Sequence, residues 1–475
     1  MKAEPLRQSQ LEDPGPWRRL DWLHAVLAMA AGGLLRAWML QRYFQVSEDS
    51  LLYGEMARNL LEHGRYALTA AGGALQPTLI RLPGYPLLLA VCFRLFGMEQ
   101  YGAVAKVQIV LDLLGCLLLA DVARRVAPLG IAKWAGRLTL WLAALCPFTA
   151  VYAAQPLTEA PTLFTIALAL WAAARFQMRP GWAPALYFSF AVSVAALLRP
   201  DGALVAVAMA PALIFGGRVA VRQRAKMAAV CLLLIATPFA VWAVRNWKVF
   251  HVVQPLAPRS ATDPGNPVYP GWEDWVGTWT LDFVSTYDVY WNVPGDRLDV
   301  GLLPARAFDS PAQRAETAKL ADEYNRNGYN LTAAMDAGWA RLAAERRAAH
   351  PWRTSLWLPL GRMLDMWLRP RVEVLPIDLD WWVYAHHHVE TEISWLYVAL
   401  NAGYLLLGVL GLWLRPRLWA CMLAYFVLRS ALLLTVHAPE ARYTLECFPM
   451  LFVLDGVALA AAVQRVSARR ARLTG

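Results

Sequence analysis

Ten apolar runs organise this chain. They lie near residues 22–43, 101–122, 131–150, 157–175, 183–198, 202–217, 227–244, 395–414, 418–436 and 445–464. Most approach the ~20 residues that a helix needs to cross a bilayer, and they exceed the ~10 of a barrel strand. Backbone groups in lipid must be satisfied within the protein, so runs of this length predict transmembrane helices. The expected fold is an all-α polytopic membrane protein with about ten such helices. One further segment, "YPLLLAVCFRLFG" from Tyr85 to Gly97, is short for a span and carries Arg94 inside it.

Charge decides whether that segment crosses. If it does not, and Arg18 and Arg19 lie in the cytoplasm, the basic turns fall almost entirely on one side. These turns are Arg124/Arg125/Lys133, Arg175/Arg179, Arg218/Arg222/Arg224/Lys226, Arg415/Arg417 and the tail from Arg465 to Arg472. If the segment crossed, they would face outward, against the positive-inside rule. Tyr85–Gly97 is therefore read as an interfacial or re-entrant helix.

Three parts follow from this topology. Residues 1–244 form an N-terminal transmembrane module whose first outer loop covers 45–100. Residues 245–394 form an extracytoplasmic region, and residues 395–475 form C-terminal transmembrane helices with a basic cytoplasmic tail. Within 245–394, Pro255–Pro304 reads as an irregular loop and Ser310–His350 as a polar helical stretch. "WRTSLWLPLGRMLDMWLRP" reads as an interfacial helix, because Arg362 and Asp365 sit in its interior. No internal repeat is visible.

Composition narrows the class. Hydrophobic residues make up 58% of the 475 and charged residues only 17%, against about 25% in a soluble domain. The net charge of +10 does not point to nucleic acid, since the basic residues cluster at the ends of apolar runs. The six cysteines all lie in apolar stretches without metal-like spacing, and read as small core or lipid-facing residues. The N-terminus shows no clear small-residue cleavage site, so the first apolar run is expected to remain as a span. A bacterial inner membrane fits the Ala- and Arg-rich composition, with the working face outside the cytoplasm.

That outer face collects ionisable residues: Glu48 and Asp49 in "VSEDS", Arg81 in "RLPGYP", Glu159 in "QPLTEAP", Arg199 in "LLRPDG", Arg245 in "VRNW" and Arg442 in "PEARY". Each stands at or just beyond the outer end of an apolar run. Such a rim suits group transfer from a phosphate-bearing lipid. Arginine offers planar bidentate contacts to phosphate and keeps its proton. A carboxylate can accept the proton of an attacking hydroxyl. The acceptor is then the nucleophile, so no Ser-His or Cys-His pair is required, and none is evident.

The motifs carrying these residues, in order "SEDSLLYGEMARNLLEHGRY", "RLPGYPLLLA", "PFTAVYAAQPLTEAPTLF", "RPDGAL", "TPFAVWAVRNW", "HPWRTSLWLPLGRMLDMWLRP" and "EARYTLECFPML", resemble those of the GT-C glycosyltransferases. The nearest branch is the family 39-like membrane enzymes, which include protein O-mannosyltransferases and a lipid A aminoarabinose transferase. The resemblance implies an inverting sugar transfer from a polyprenyl phosphate to a hydroxyl acceptor (a lipid, a glycan or a protein). It implies that Asp49, four residues before Tyr53, is the catalytic base. Relatives often carry a second acid after the first, where this chain has Ser50. Arg81, Arg199, Arg245 and Arg442 stand at basic positions expected near the donor phosphate. Glu159, with Glu48, is assigned to acceptor or metal assistance, which leaves a divalent cation open as a cofactor. Tyr53, Tyr85 and Tyr443 are assigned to sugar or lipid contact.

Each assignment has a plainer counterpart. Asp49 suits a helix N-cap. Arg81 suits a lipid headgroup, Glu159 a span end, and Arg199 and Arg442 interfacial anchors. Arg245 beside Asn246 suits a helix end. "HHHVE" (His386–Glu390) lacks the spacing of a metal site. The tryptophans are expected in aromatic belts, with sugar contact by some of the Trp272, Trp275 and Trp279 cluster as the lesser alternative. The rival functions are a transporter or lipid-linked glycan flippase, and an O-antigen polymerase or ligase. A transporter would place polar groups near the midplane and show paired repeats.

Overall fold

The structure is a computed structural model and describes residues 15–216, 219–379 and 388–474. Each apolar run holds at least one helix among the described residues. In chain order the first elements are α1 (Arg19–Tyr43), α2 (Glu48–His63), β1 (Ala67–Thr69), β2 (Leu75–Pro77), α3 (Gly84–Phe96) and α4 (Tyr101–Val126). They continue with α5 (Ala132–Ala144), α6 (Pro147–Ala153), α7 (Glu159–Met178), α8 (Trp182–Leu198), α9 (Leu204–Ile214) and α10 (Val221–Phe250). The last are α11 (Pro270–Gly277), α12 (Pro311–Arg326), α13 (Ala333–Ala349), α14 (Leu358–Leu368), α15 (His388–Trp413), α16 (Trp419–Leu433) and α17 (Phe448–Thr474).

Among the described residues, five helical stretches are long and apolar enough to cross a bilayer: α1, α4, α10, Thr391–Trp413 within α15, and Ala441–Arg470, which is mostly α17. The pair α5 and α6, bent by 54°, adds a sixth if it is one broken span. Helices α3, α8 and α16 are apolar but have no more than 17 residues. At 1.5 Å per residue they reach at most ~26 Å, short of a ~30 Å hydrocarbon core. The expected ten spans thus resolve into long helices and short ones. Helix ends are cut by prolines and tight turns that hydropathy averages over.

The chain divides into two compact units. The first holds the described residues up to Gly265, Gly403–Val427, and those from Leu445 onward. Here α17 packs on α5, α4 on α5 and α7, and α7 on α8. Close approach is set by small residues, as expected where lipid removes the hydrophobic drive between helices. A Cβ on Gly456 would lie 2.0 Å from Thr139 Oγ1, and the Thr139 hydroxyl donates to the Phe452 carbonyl at 3.1 Å. All six cysteines are buried free thiols. A buried ion pair, not anticipated from sequence, ties α1 to α4: Arg36 Nε donates to Asp112 at 2.6 Å. Arg36 Nη1 also donates to the Ala144 carbonyl at 2.6 Å, one of the orphan acceptors left where α5 ends.

The second unit holds Asn266–Ala402 and Leu428–Thr444. Its core is aromatic: Trp272, Trp275, Trp279 and Trp339 are 0–2% exposed and pack with Tyr324, Leu320 and Leu342. This corrects two expectations. The stretch Pro255–Pro304 is not simply an irregular loop, since it supplies α11 and half of this core. The three tryptophans are neither an exposed belt nor open to a sugar, because they are buried against Trp339. The polar stretch after Ser310 becomes two helices, α12 and α13, parted at Gly328, whose φ of +63° suits glycine. The N-terminus of α11 is capped from α13, where Asp336 accepts from the Gly271 and Trp272 amides at 3.1 and 2.9 Å.

Helix α14 is amphipathic. Arg362 points into the unit and donates to the Gly277 and Thr280 carbonyls at 3.0 and 3.2 Å. Leu364 and Leu368 stay exposed, as do Trp352 and Trp357 just before it. Beyond α14, Glu373 is held by burial, with Glu440 adding to the effect, at a pKa of about 7 against the pull of Arg369 and Arg371.

Candidate active site

The site candidates of the first unit are carried by the α1–α2 junction, the hairpin that follows, and the starts and ends of α7 and α8. The α1–α2 junction turns at Ser47, which is the N-cap of α2 in place of Asp49: its hydroxyl accepts from the Ser50 amide at 3.4 Å. Glu48 and Asp49 occupy the first turn, where the helix dipole favours negative charge. They point differently. Glu48 is exposed, while Asp49 is half-buried and meets Arg81 Nη2 at 3.1 Å. This ion pair joins positions 32 residues apart. The Arg81 guanidinium lies 5.9 Å from the centroid of the Tyr53 ring, and Tyr53 meets Tyr85 edge-to-face at 5.1 Å.

Arg81 is delivered by a hairpin that the sequence reading missed, although "AAGG" was the turn signal. β1 pairs antiparallel with β2, Ala67 opposite Pro77 and Thr69 opposite Leu75. The hairpin is held by α2, where Asn59 donates to the Ala67 carbonyl at 2.9 Å. It is also held by Arg245, which donates to the Thr78 and Tyr66 carbonyls at 2.7 Å each. The Arg245 guanidinium lies among the rings of Tyr66, Trp242 and Phe250. Asp263 completes the clamp by accepting from the Leu79 amide at 2.7 Å. The α3 start is pressed against α8, so that a Cβ on Gly84 would sit 2.5 Å from the Leu197 backbone.

Glu159 opens α7, and Arg199 closes α8 in an extended conformation. The two meet at 3.1 Å. Arg199 also contacts Asp201 at 3.4 Å and Glu446 at 2.8 Å. Asp201 and Glu446 were not singled out from sequence, though both lie in quoted motifs. The Asp49–Arg81 and Glu159–Arg199 pairs act on one group. Burial pushes the Tyr53 hydroxyl up, Arg81 and Arg199 oppose this, and Asp49 and Glu159 add to it.

Tyr85 is buried, and its hydroxyl donates to Gln108 at 2.7 Å. Arg442 and Tyr443 belong to the second unit, where Arg442 Nε pairs with Glu440 at 2.8 Å. The His386–Glu390 run lies outside the described residues in part, and its histidines carry no described side chain. Among the described residues no three His, Cys, Asp or Glu are placed to share a metal ion. Glu159, Asp201 and Glu446 surround the Arg199 guanidinium instead, so these residues do not fit a divalent cation.

The chain has three likenesses to known proteins. The family described as dolichyl-phosphate-mannose-protein mannosyltransferase matches residues 77–242, the stretch holding Arg81, Glu159 and Arg199. The oligosaccharyltransferase of Archaeoglobus fulgidus, solved with a tethered acceptor peptide, superposes with a TM-score of 0.50 at 12% identity over 96% of this chain. This chain spans 51% of that protein's length. ArnT from Cupriavidus metallidurans, solved with undecaprenyl phosphate, aligns at 15% identity over 95% of this chain and 79% of its own, with a TM-score of 0.38. No curated protein sequence matches the chain.

Proposed function

We propose that this chain, an integral membrane protein of the GT-C fold, is an inverting glycosyltransferase that moves a sugar from a polyprenyl phosphate to an acceptor hydroxyl outside the cytoplasm. The observation that carries the reading is the Asp49–Arg81 pair, a carboxylate and a guanidinium 3.1 Å apart beside the Glu159–Arg199 pair. The match of residues 77–242 to a family named for a dolichyl-phosphate sugar donor supports the donor class.

In this reading Arg81 holds Asp49 until a donor arrives, then turns to the phosphate, for which its planar fork is suited. The acceptor oxygen attacks the anomeric carbon from the face opposite the phosphate. The new C–O bond forms as the bond to the phosphate oxygen breaks, and the polyprenyl phosphate leaves with the electron pair. Asp49 takes the hydroxyl proton, and one displacement inverts the anomeric centre. Arg81 stabilises the charge growing on the leaving phosphate with its fixed positive fork. Glu159, already neutralised by Arg199, orients the acceptor. Arg245 acts one step back, by holding the hairpin that presents Arg81. The chemistry lies in the part of the chain up to residue 244, with loop 45–100 as its working edge.

The test is Asp49→Asn in reconstituted membranes with a polyprenyl-phosphate sugar. Loss of a general base lowers turnover by ~10²–10⁴-fold, while donor binding is kept. Transfer at the wild-type rate would remove Asp49 from the role.

A further inference from the structure

A chain of uncharged side chains runs through the first unit and reaches both sides of Asp49. The Tyr85 hydroxyl donates to Gln108 Oε1 at 2.7 Å. Gln108 Nε2 donates to the Gln155 carbonyl at 2.5 Å. Gln155 Nε2 donates to the Tyr43 carbonyl at 2.6 Å, and Gln155 Oε1 accepts from the Gln45 amide at 3.1 Å. Tyr85, Gln108 and Gln155 are 0–1% exposed.

The placement is specific. Tyr43 is the last residue of α1, so its carbonyl has no partner within the helix. Gln155 grips this carbonyl and the amide two residues on with one amide group, fixing the chain just before α2 begins. At the other end Tyr85 packs edge-to-face on Tyr53, one helical turn after Asp49. Gln155 itself lies four residues before Glu159. The chain therefore sets where the first turn of α2 sits relative to the start of α7. It contains no ionisable carboxyl or amine, so it works unchanged across the pH range in which a carboxylate base must titrate.

We infer that Gln155, supported by Gln108, is a positioning residue that holds Asp49 in register with the Glu159–Arg199 pair. This rests on Asp49 being the base. Misplacing a reacting group by about 1 Å lowers turnover by roughly 100-fold. Loosening the 43–45 segment should therefore act on kcat, with little effect on donor affinity.

Three variants in the full-length protein test this, with Asp49→Asn run alongside. Gln155→Leu removes both bonds to the 43–45 segment. Its kcat should fall by at least ~10-fold with KM for the donor within ~3-fold, and exchange of the Gln45 amide should rise ~10-fold. Gln155→Glu can accept from the Gln45 amide in either state but donates to Tyr43 only when protonated. Its kcat relative to wild type should recover as pH falls, a limb the wild type lacks. Gln108→Leu should give a weaker form of the Gln155→Leu result. The inference is overturned if Gln155→Leu keeps wild-type kcat, if Gln45 exchange is unchanged, or if Gln155→Glu tracks Gln155→Leu at every pH. The exchange measurement needs no turnover. Active Asp49→Asn would thus refute the base while the grip on 43–45 is judged separately.

Discussion

The Arg36–Asp112 pair offers the sharpest test of how this fold is held in lipid. Arg36 is 0% exposed and Asp112 6%. Besides Asp112 at 2.6 Å, the guanidinium reaches the Ala144 carbonyl at 2.6 Å, the Gly32 carbonyl at 3.0 Å and the Ala143 carbonyl at 3.5 Å. Asp112→Asn leaves a buried cation without its counterion, which costs about 3–5 kcal/mol. Arg36→Met leaves the carboxylate alone and costs a similar amount, so independent effects would sum to about 6–10 kcal/mol. The double variant Arg36→Met/Asp112→Asn carries no stranded charge. What it lacks is a donor for the carbonyls at the end of α5, worth about 1–3 kcal/mol. It should therefore be at least as stable as either single variant, with a coupling of about 3 kcal/mol or more. Equilibrium unfolding in mixed micelles measures the cycle. If the two single effects add within about 0.5 kcal/mol, the charges are not compensating one another and the account of this buried pair is wrong.

Further outcomes follow from other contacts. Glu373 has its pKa raised to about 7 by burial, so the folded state binds its proton more tightly than the unfolded chain. That contribution is complete below about pH 4.5 and is lost as pH rises through 7. Glu373→Gln should thus match wild type at pH 4 and exceed it at pH 8 by up to about 3 kcal/mol, read from thermal melts; equal melts at pH 8 would refute this. Arg245→Lys cannot span two carbonyls with a planar fork. It should cost about 1–3 kcal/mol and speed proteolysis at the Ala70–Ala74 turn, and unchanged cleavage would clear Arg245 of holding the hairpin. Gly84→Ala drives a Cβ into the Leu197 backbone, 2.5 Å away, and should destabilise by about 1–3 kcal/mol. A wild-type melting temperature would show that α3 and α8 are free to part.

Hydropathy was enough to read the helical class and the shortness of α3 from the residues. A run of apolar side chains has one way to satisfy its backbone in lipid, and that constraint is local. The acids and arginines were legible for the same reason, since a charge among apolar neighbours stands out wherever the chain goes. Their partners were not. Arg245 reads as a phosphate ligand until the Thr78 and Tyr66 carbonyls are seen in its fork, and Trp272, Trp275 and Trp279 read as an exposed belt until Trp339 closes over them. Gln108 and Gln155 carry no charge and leave no mark in composition. Arg36 and Asp112 are isolated charges inside apolar runs, a visible signal, but nothing along the chain says that they meet. A hydrogen bond or an ion pair depends on angstroms between residues tens of positions apart, and those distances exist only after the helices have packed.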